Sequence, residues 1–300
     1  MNRIIRIGSR ESALAVRQSV IIREQIEQFH PGIKVEIVTM STKGDRILDQ
    51  SLEKIGGKGL FVLELEQALL DGRVDIAVHS LKDLPMEVNK ELPILAYGMR
   101  EDPRDVLVCR TGTAKLPADC VIGTSSRRRK LQIEALIPGC TVKNIRGNVQ
   151  TRLRKLEEEG FDATILAAAG LSRLGLEQRM GRILSVEEMI PAAGQGILAV
   201  QGRKGENGLW MEGLDDPKSR AEALAERSFI RFLEGGFTSP SAAHAQVKDG
   251  QIRLIGLYYD ETTGVSVRGT LTADVKDAEK TGEVLAESLQ KKAERGDVQV

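Results

Sequence analysis

Apolar and polar residues alternate over 3–7, and apolar residues then return at helical spacing at Leu14, Ile21, Ile22, Ile26 and Phe29. The pattern predicts a strand followed by a helix, which Ser9 or Ser12 can cap and which Pro31-Gly32 ends. Next come a strand over 35–40, a helix over 61–70 with Phe61, Val62, Leu65 and Leu69 inward, and a short apolar strand over 74–78. Strand and helix in alternation predict a parallel α/β layer. The alternation restarts near residue 100, with strands over 106–109, 121–123, 141–145 and 162–167 and helices over 126–137 and 149–159. A strand over 197–200 follows Pro191-Ala192-Ala193-Gly194-Gln195-Gly196, which has the look of a crossover back to the first sheet. Beyond residue 216 the pattern changes. A helix over 219–233, with Ala221, Leu224, Ala225, Phe229 and Phe232 inward, is stopped by Gly235-Gly236. Strand-like runs follow over 242–248, 251–259 and 265–272, with Asp249-Gly250 as a hairpin signal, and then a helix over 276–293. The fold class is therefore α/β, with two similar lobes, as in hinged two-lobed binding proteins, and a small α+β C-terminal unit. The expected domains are 1–98 with 197–215, then 99–196, then 216–300.

Composition narrows the function. Lys plus Arg and Asp plus Glu both number 43, so no net charge recruits nucleic acid or a membrane surface. Cys109, Cys120 and Cys140 form an odd, sparse set without metal spacing, which fits a reducing compartment. The first residues are too charged for a signal peptide, and no apolar run approaches the roughly 18 residues of a membrane span. A cytoplasmic location is expected.

The chemistry gathers in loops that follow strands. The strand over 74–78 breaks into His79-Ser80-Leu81-Lys82-Asp83-Leu84-Pro85, so Lys82 and Asp83 stand where open α/β sheets place ligands. Taken alone, such a pair is a solvated turn, and His79 alone is a packed strand-end histidine. Arg10, Lys43, Lys54, Lys58, Lys82, Arg128, Arg129, Arg146, Arg152 and Arg173 all fall in such loops or on first helical turns. Each singly is a surface charge. Together, with Thr124-Ser125-Ser126 at a helix start, they predict a site for a small polyanion rich in carboxylates. No phosphate-binding glycine motif occurs, and Gly56-Gly57-Lys58-Gly59 lacks the spacing. Arg127-Arg128-Arg129-Lys130 also permits a nucleic-acid reading, but few aromatics accompany it.

Several of these stretches resemble the porphobilinogen deaminase (hydroxymethylbilane synthase) family. They are Thr42-Lys43-Gly44-Asp45, Gly56-Gly57-Lys58-Gly59-Leu60-Phe61, Ala77 to Pro85, Arg100 to Asp105 and Gly123-Thr124-Ser125-Ser126 with Arg128-Arg129. Arg146-Gly147-Asn148-Val149 with Thr151-Arg152, Leu166 to Gly175, Pro191 to Gly196, and Ala225-Glu226-Arg227 with Leu233-Glu234-Gly235-Gly236 continue the match in family order. The resemblance implies two lobes like those of periplasmic binding proteins plus the small α+β domain. It also implies a transferase of porphyrin and heme biosynthesis, a monomer that joins four porphobilinogen molecules into a linear tetrapyrrole with loss of ammonia. Asp83 would assist loss of the amino group and stabilise the resulting cation, with Lys82 positioning it. Arg10, Ser12, Lys54, Lys58, Ser80, Thr124, Ser125, Ser126, Arg128, Arg129, Arg146, Gly147, Arg152, Arg173 and Gln195 would hold substrate or the dipyrromethane cofactor, and Phe61 would stack near a pyrrole ring. No metal is implied.

One position departs from the family. The cofactor is attached through a cysteine directly after Leu-Glu-Gly-Gly, and here Phe237 follows Leu233-Glu234-Gly235-Gly236. A phenylalanine forms no thioether, so covalent attachment in the loop 234–245 is expected to be absent and activity impaired. Three accounts stay open: a primer held noncovalently by the arginines, an inactive or repurposed relative, or a substitution in an otherwise ordinary enzyme. A second departure is Arg127, where the family usually has an apolar residue. The rival reading is a non-catalytic two-lobed binding protein for a polycarboxylate; a carboxylate at Asp83 argues against it, since it gains nothing in pure carboxylate binding.

Overall fold

A computed structural model describes residues 4–42, 62–112, 115–206, 208–233 and 239–296. The chain divides into two compact units, residues 1–101 with 196–220 and residues 102–195 with 221–300. The first unit opens with β1 (Ile4–Arg10), α1 (Ala13–Phe29), β2 (Lys34–Met40), α2 (Leu63–Leu70), β3 (Ile76–Ser80) and β4 (Ile94–Tyr97). The second contains β5 (Asp105–Cys109), β6 (Val121–Gly123), α3 (Arg127–Leu136), β7 (Thr141–Lys143), α4 (Val149–Glu158), β8 (Ala163–Ala167), α5 (Ala168–Arg173) and β9 (Arg182–Ile183). The chain then returns to the first unit as β10 (Leu198–Gly202) before α6 (Pro217–Phe232), which runs on into the second. The second unit ends with β11 (Ala242–Lys248), β12 (Gln251–Tyr259), β13 (Ser266–Asp274) and α7 (Ala278–Glu294).

The two α/β sheets share one plan. Their strand orders are β2-β1-β3-β10-β4 and β7-β6-β8-β5-β9. In each, the first three strands run parallel, and the fourth, β10 or β5, is antiparallel to its neighbours. The expected return of 197–200 to the first sheet is thus observed, but that sheet is mixed where the helical alternation predicted a parallel layer. The cause is that β10 arrives through the crossing segment without a crossover helix of its own, so nothing turns it parallel.

Both faces of each sheet are covered. In the first unit Ile22 and Ile26 of α1 pack on Ile5, Ile7, Val78 and Val200, while Leu65 and Leu69 of α2 pack with Val74 and Ala77. In the second, Leu153 and Leu156 of α4 cover Val106 and Val108, and Ile133 of α3 covers Leu107, Ile122 and Ile165. β4 and β9 are strands the pattern did not predict. Phe232, assigned inward, is half exposed at the last residue of α6, as is Phe29 at the last residue of α1. The predicted start of the second helix at Phe61 lies outside the described residues, as does the Gly235-Gly236 stop.

The third sheet, β11-β12-β13, is antiparallel throughout. Asp249 and Gly250 both have positive φ, 51° and 74°, as a tight hairpin between β11 and β12 requires. The inward face of α6 carries charge as well as Ala225 and Phe229. Glu222 and Glu226 are both buried, and their Oε1 atoms accept the amides of Val247 (2.9 Å) and Ala245 (2.7 Å) of β11. One helical turn separates the two glutamates and two strand residues separate the amides, so the spacings match. The Glu226 Oε2 also accepts the amide of Gly194 at 2.7 Å.

Candidate functional site

The candidate residues of the first unit stand at the carboxyl ends of its parallel strands. Arg10 ends β1 and is half-buried, and Ser12 caps α1, its hydroxyl accepting the Ala15 amide at 3.3 Å. Ser80 ends β3, where its hydroxyl accepts a 2.8 Å hydrogen bond from Gln18 Nε2. A single 3-10 turn, Leu81–Asp83, follows at once. Leu81 and Leu84 are fully buried and pin the turn, which leaves Lys82 and Asp83 half-buried between them. No described residue hydrogen-bonds or ion-pairs with the Asp83 carboxylate. His79 is buried one residue before Ser80, and burial, aided by the Arg10 charge, pushes its imidazole down to about 4. It is neutral at pH 7, in keeping with a packed strand-end histidine.

In the second unit the candidates occupy the equivalent ends of β6, β7 and β8. Thr124, Ser125 and Ser126 follow β6. Ser126 caps α3 by accepting the Arg129 amide at 3.4 Å, Thr124 Oγ1 accepts the Ser126 amide at 3.2 Å, and Ser125 Oγ donates to the Ile145 carbonyl at 3.0 Å. That last bond ties this loop to the one after β7. There Arg146 and Arg152 are half-buried, and Arg152 Nε donates to the Gly147 carbonyl at 2.8 Å. Gly147 has φ of 120°, and a Cβ there would lie 2.5 Å from the Thr151 side chain, so only glycine fits. Arg173 is buried at the end of α5, directly after β8.

Arg128 and Arg129 are only 5% and 6% exposed. They share one carboxylate, that of the fully buried Asp105 at the start of β5: Arg128 Nη2 donates to Oδ2 at 2.8 Å and Arg129 Nη2 to Oδ1 at 2.7 Å. Arg128 Nη1 donates to the Ile190 carbonyl at 2.6 Å and Arg129 Nη1 to that of Ile165 at 2.8 Å. Gln195 Nε2 donates to the Pro103 carbonyl at 2.6 Å and to Asp105 Oδ1 at 3.0 Å. The structure therefore gathers Arg128, Arg129 and Gln195 around a residue that the sequence reading used only as part of a motif. Nothing in the local pattern marked it, since its partners lie 23, 24 and 90 residues away. The run 127–130 is no open basic strip: Arg127 pairs with Glu261 and Lys130 with Glu134. Lys54, Lys58, Phe61 and Phe237 lie outside the described residues. Among the described residues no cluster of His, Cys, Asp and Glu could hold a metal ion, and no helix is long and apolar enough to cross a membrane.

Comparison with known proteins decides the family. Residues 5–210 match the model of the porphobilinogen deaminase dipyromethane cofactor binding domain, and residues 220–291 match that of the porphobilinogen deaminase C-terminal domain. The chain belongs to the porphobilinogen deaminase family. The porphobilinogen deaminase of Acetivibrio thermocellus is 51% identical over 290 residues, covering 97% of this chain and 99% of that one. That of Alkaliphilus oremlandii is 51% identical and covers 97% of both chains. That of Thiobacillus denitrificans is 48% identical and covers 94% of both. Among solved structures, the periplasmic aliphatic sulphonate binding protein SsuA of Escherichia coli is 13% identical with a TM-score of 0.42, covering 76% of this chain and 70% of that one. The strand orders, not that overlap, carry the α/β assignment.

Porphobilinogen deaminases of this family have a dipyrromethane-binding domain, and the chemistry of the donor set here fits such a group. In each unit by itself the strand-end loops offer guanidinium and hydroxyl donors, of the kind that a molecule bearing several carboxylates requires. The non-catalytic binding protein is not favoured by the family membership.

Proposed function

We propose that the chain joins four porphobilinogen molecules head to tail into hydroxymethylbilane, releasing ammonia at each step. The observation that carries this reading is Asp83: a half-buried carboxylate, without a partner among the described residues, on a one-turn helix at the carboxyl end of a parallel strand. In its protonated form Asp83 gives its proton to the departing amino nitrogen, and as a carboxylate it then stands beside the cation left on the pyrrole. Lys82 balances its charge. Arg10, Ser12 and Ser80, Thr124 to Ser126, Arg128, Arg129, Arg146, Gly147, Arg152, Arg173 and Gln195 hold the acetate and propionate groups of substrate and cofactor, together with Lys54, Lys58 and the ring of Phe61. When bound, dipyrromethane supplies the pyrrole carbon to which the first substrate is joined. With Phe237 at the attachment position, it is held without a thioether. The protein works as a cytoplasmic monomer of three domains, a reading supported by the separate third sheet and by family models that part between residues 210 and 220.

Two measurements test this. Asp83→Asn should abolish tetrapyrrole and ammonia formation while leaving the melting temperature near parental; near-parental turnover would remove Asp83 from the chemistry. Intact mass after incubation with porphobilinogen should show no adduct on the parental chain and a dipyrromethane adduct on Phe237→Cys, whose turnover should rise. A covalent adduct on the parental chain would refute noncovalent holding.

A further inference from the structure

Asp105 accounts for an arrangement that the arginines alone do not. Arg128 and Arg129 are consecutive on α3, and consecutive helical side chains leave the axis about 100° apart. Both heads nevertheless converge, because each oxygen of one fully buried carboxylate takes one of their outer nitrogens. Gln195 fixes that carboxylate from the other side at 3.0 Å. Burial, with the neighbouring Arg129 charge, pushes the Arg128 guanidinium down, and the Asp105 charge and hydrogen bond oppose it. The one carboxylate offsets part of the charge of the two guanidiniums.

We propose that Asp105 is a positioning residue that tunes the charge of the anion site, holding Arg128 and Arg129 together and offsetting part of their combined charge. The proposal rests on the reading that these arginines serve carboxylate binding. A site that must hold a growing polycarboxylate and then release it gains from a built-in counter-charge: two uncompensated guanidiniums would retain the product.

The test is a charge cycle. Porphobilinogen affinity is measured by calorimetry at low and high salt for the parental chain, Asp105→Asn, Arg128→Gln and the double variant, each carrying Asp83→Asn so that ligand is not consumed. Asp105→Asn raises the cluster by one charge and should tighten binding about tenfold, with a steeper salt dependence. Arg128→Gln should weaken it by about the same factor, and the double variant should return to within about threefold of parental. Structural damage weakens binding and cannot produce the tightening. If Arg128→Gln weakens binding but Asp105→Asn does not tighten it, the role of Asp105 is overturned and the reading of the arginines stands. If affinity ignores all three changes, both are overturned. If Asp105→Asn alone does not fold, the double variant decides: recovery above the Arg128→Gln affinity supports the proposal, and equality with it overturns it.

Discussion

Asp83 and Asp105 show how differently two carboxylates can be placed within about twenty residues of one another. Asp83 is half-buried with no partner among the described residues, whereas Asp105 is fully buried, with Arg128, Arg129 and Gln195 among its side-chain donors. The first was legible in the sequence, because an apolar strand breaking into Lys-Asp ahead of Leu-Pro puts polar groups at a strand end. The second was not, because its partners come from other elements and short-range periodicity carries no such information. The contrast extends to the arginines. Arg128→Ala strips one partner from a buried ion pair and should cost about 3–5 kcal/mol of stability. Arg146→Ala, at a half-buried loop position, should cost less stability than Arg128→Ala while weakening ligand binding. Urea denaturation of the two variants checks this, and equal losses would contradict the burial argument.

At the scale of elements, most strands and helices were legible because each buries a face of regular period. β4 and β9 escaped because four residues and two residues are too few to show one. The direction of β10 escaped because strand pattern is blind to polarity. The charged inward face of α6 escaped because a pattern reading assigns glutamate outward, whereas the backbone amides of β11 and Gly194 help make burial of Glu222 and Glu226 tolerable. The helix starts are where local chemistry was enough: the sequence offers Ser9 or Ser12 as the cap of α1, and Ser12 is the cap; it places Thr124-Ser125-Ser126 at a helix start, and Ser126 caps α3. Ser126→Ala should lower stability by about 1 kcal/mol, read from the denaturation midpoint, and Ser126→Gly by less. A larger loss in the glycine variant would show that the side chain is not the capping group.

For the molecule as a whole, His79 links stability to pH. Its folded pKa of about 4 lies below the ordinary 6.5, so the unfolded chain takes up the proton first as pH falls. Stability should be intact above about pH 6.5, decline from there to about pH 4, and be lower by about 3 kcal/mol beyond that. The difference in melting temperature between the parental chain and His79→Leu, followed across that range, isolates this group from the carboxylates; a pH-independent difference would rule it out. The same scale gives the pairing of α6 with β11 a further meaning. β11 is an edge strand, and an edge with open amides is a template on which another chain can lay a strand. Here Ala245 and Val247, alternate residues whose amides face away from β12, are already spoken for by Glu226 and Glu222. The acidic face of the helix acts as a permanent mock strand, closing the sheet against recruitment by a second molecule. Glu222→Ala should reopen one rung of that edge and show as concentration-dependent growth in light scattering, while the parental chain stays a single species at the same concentrations.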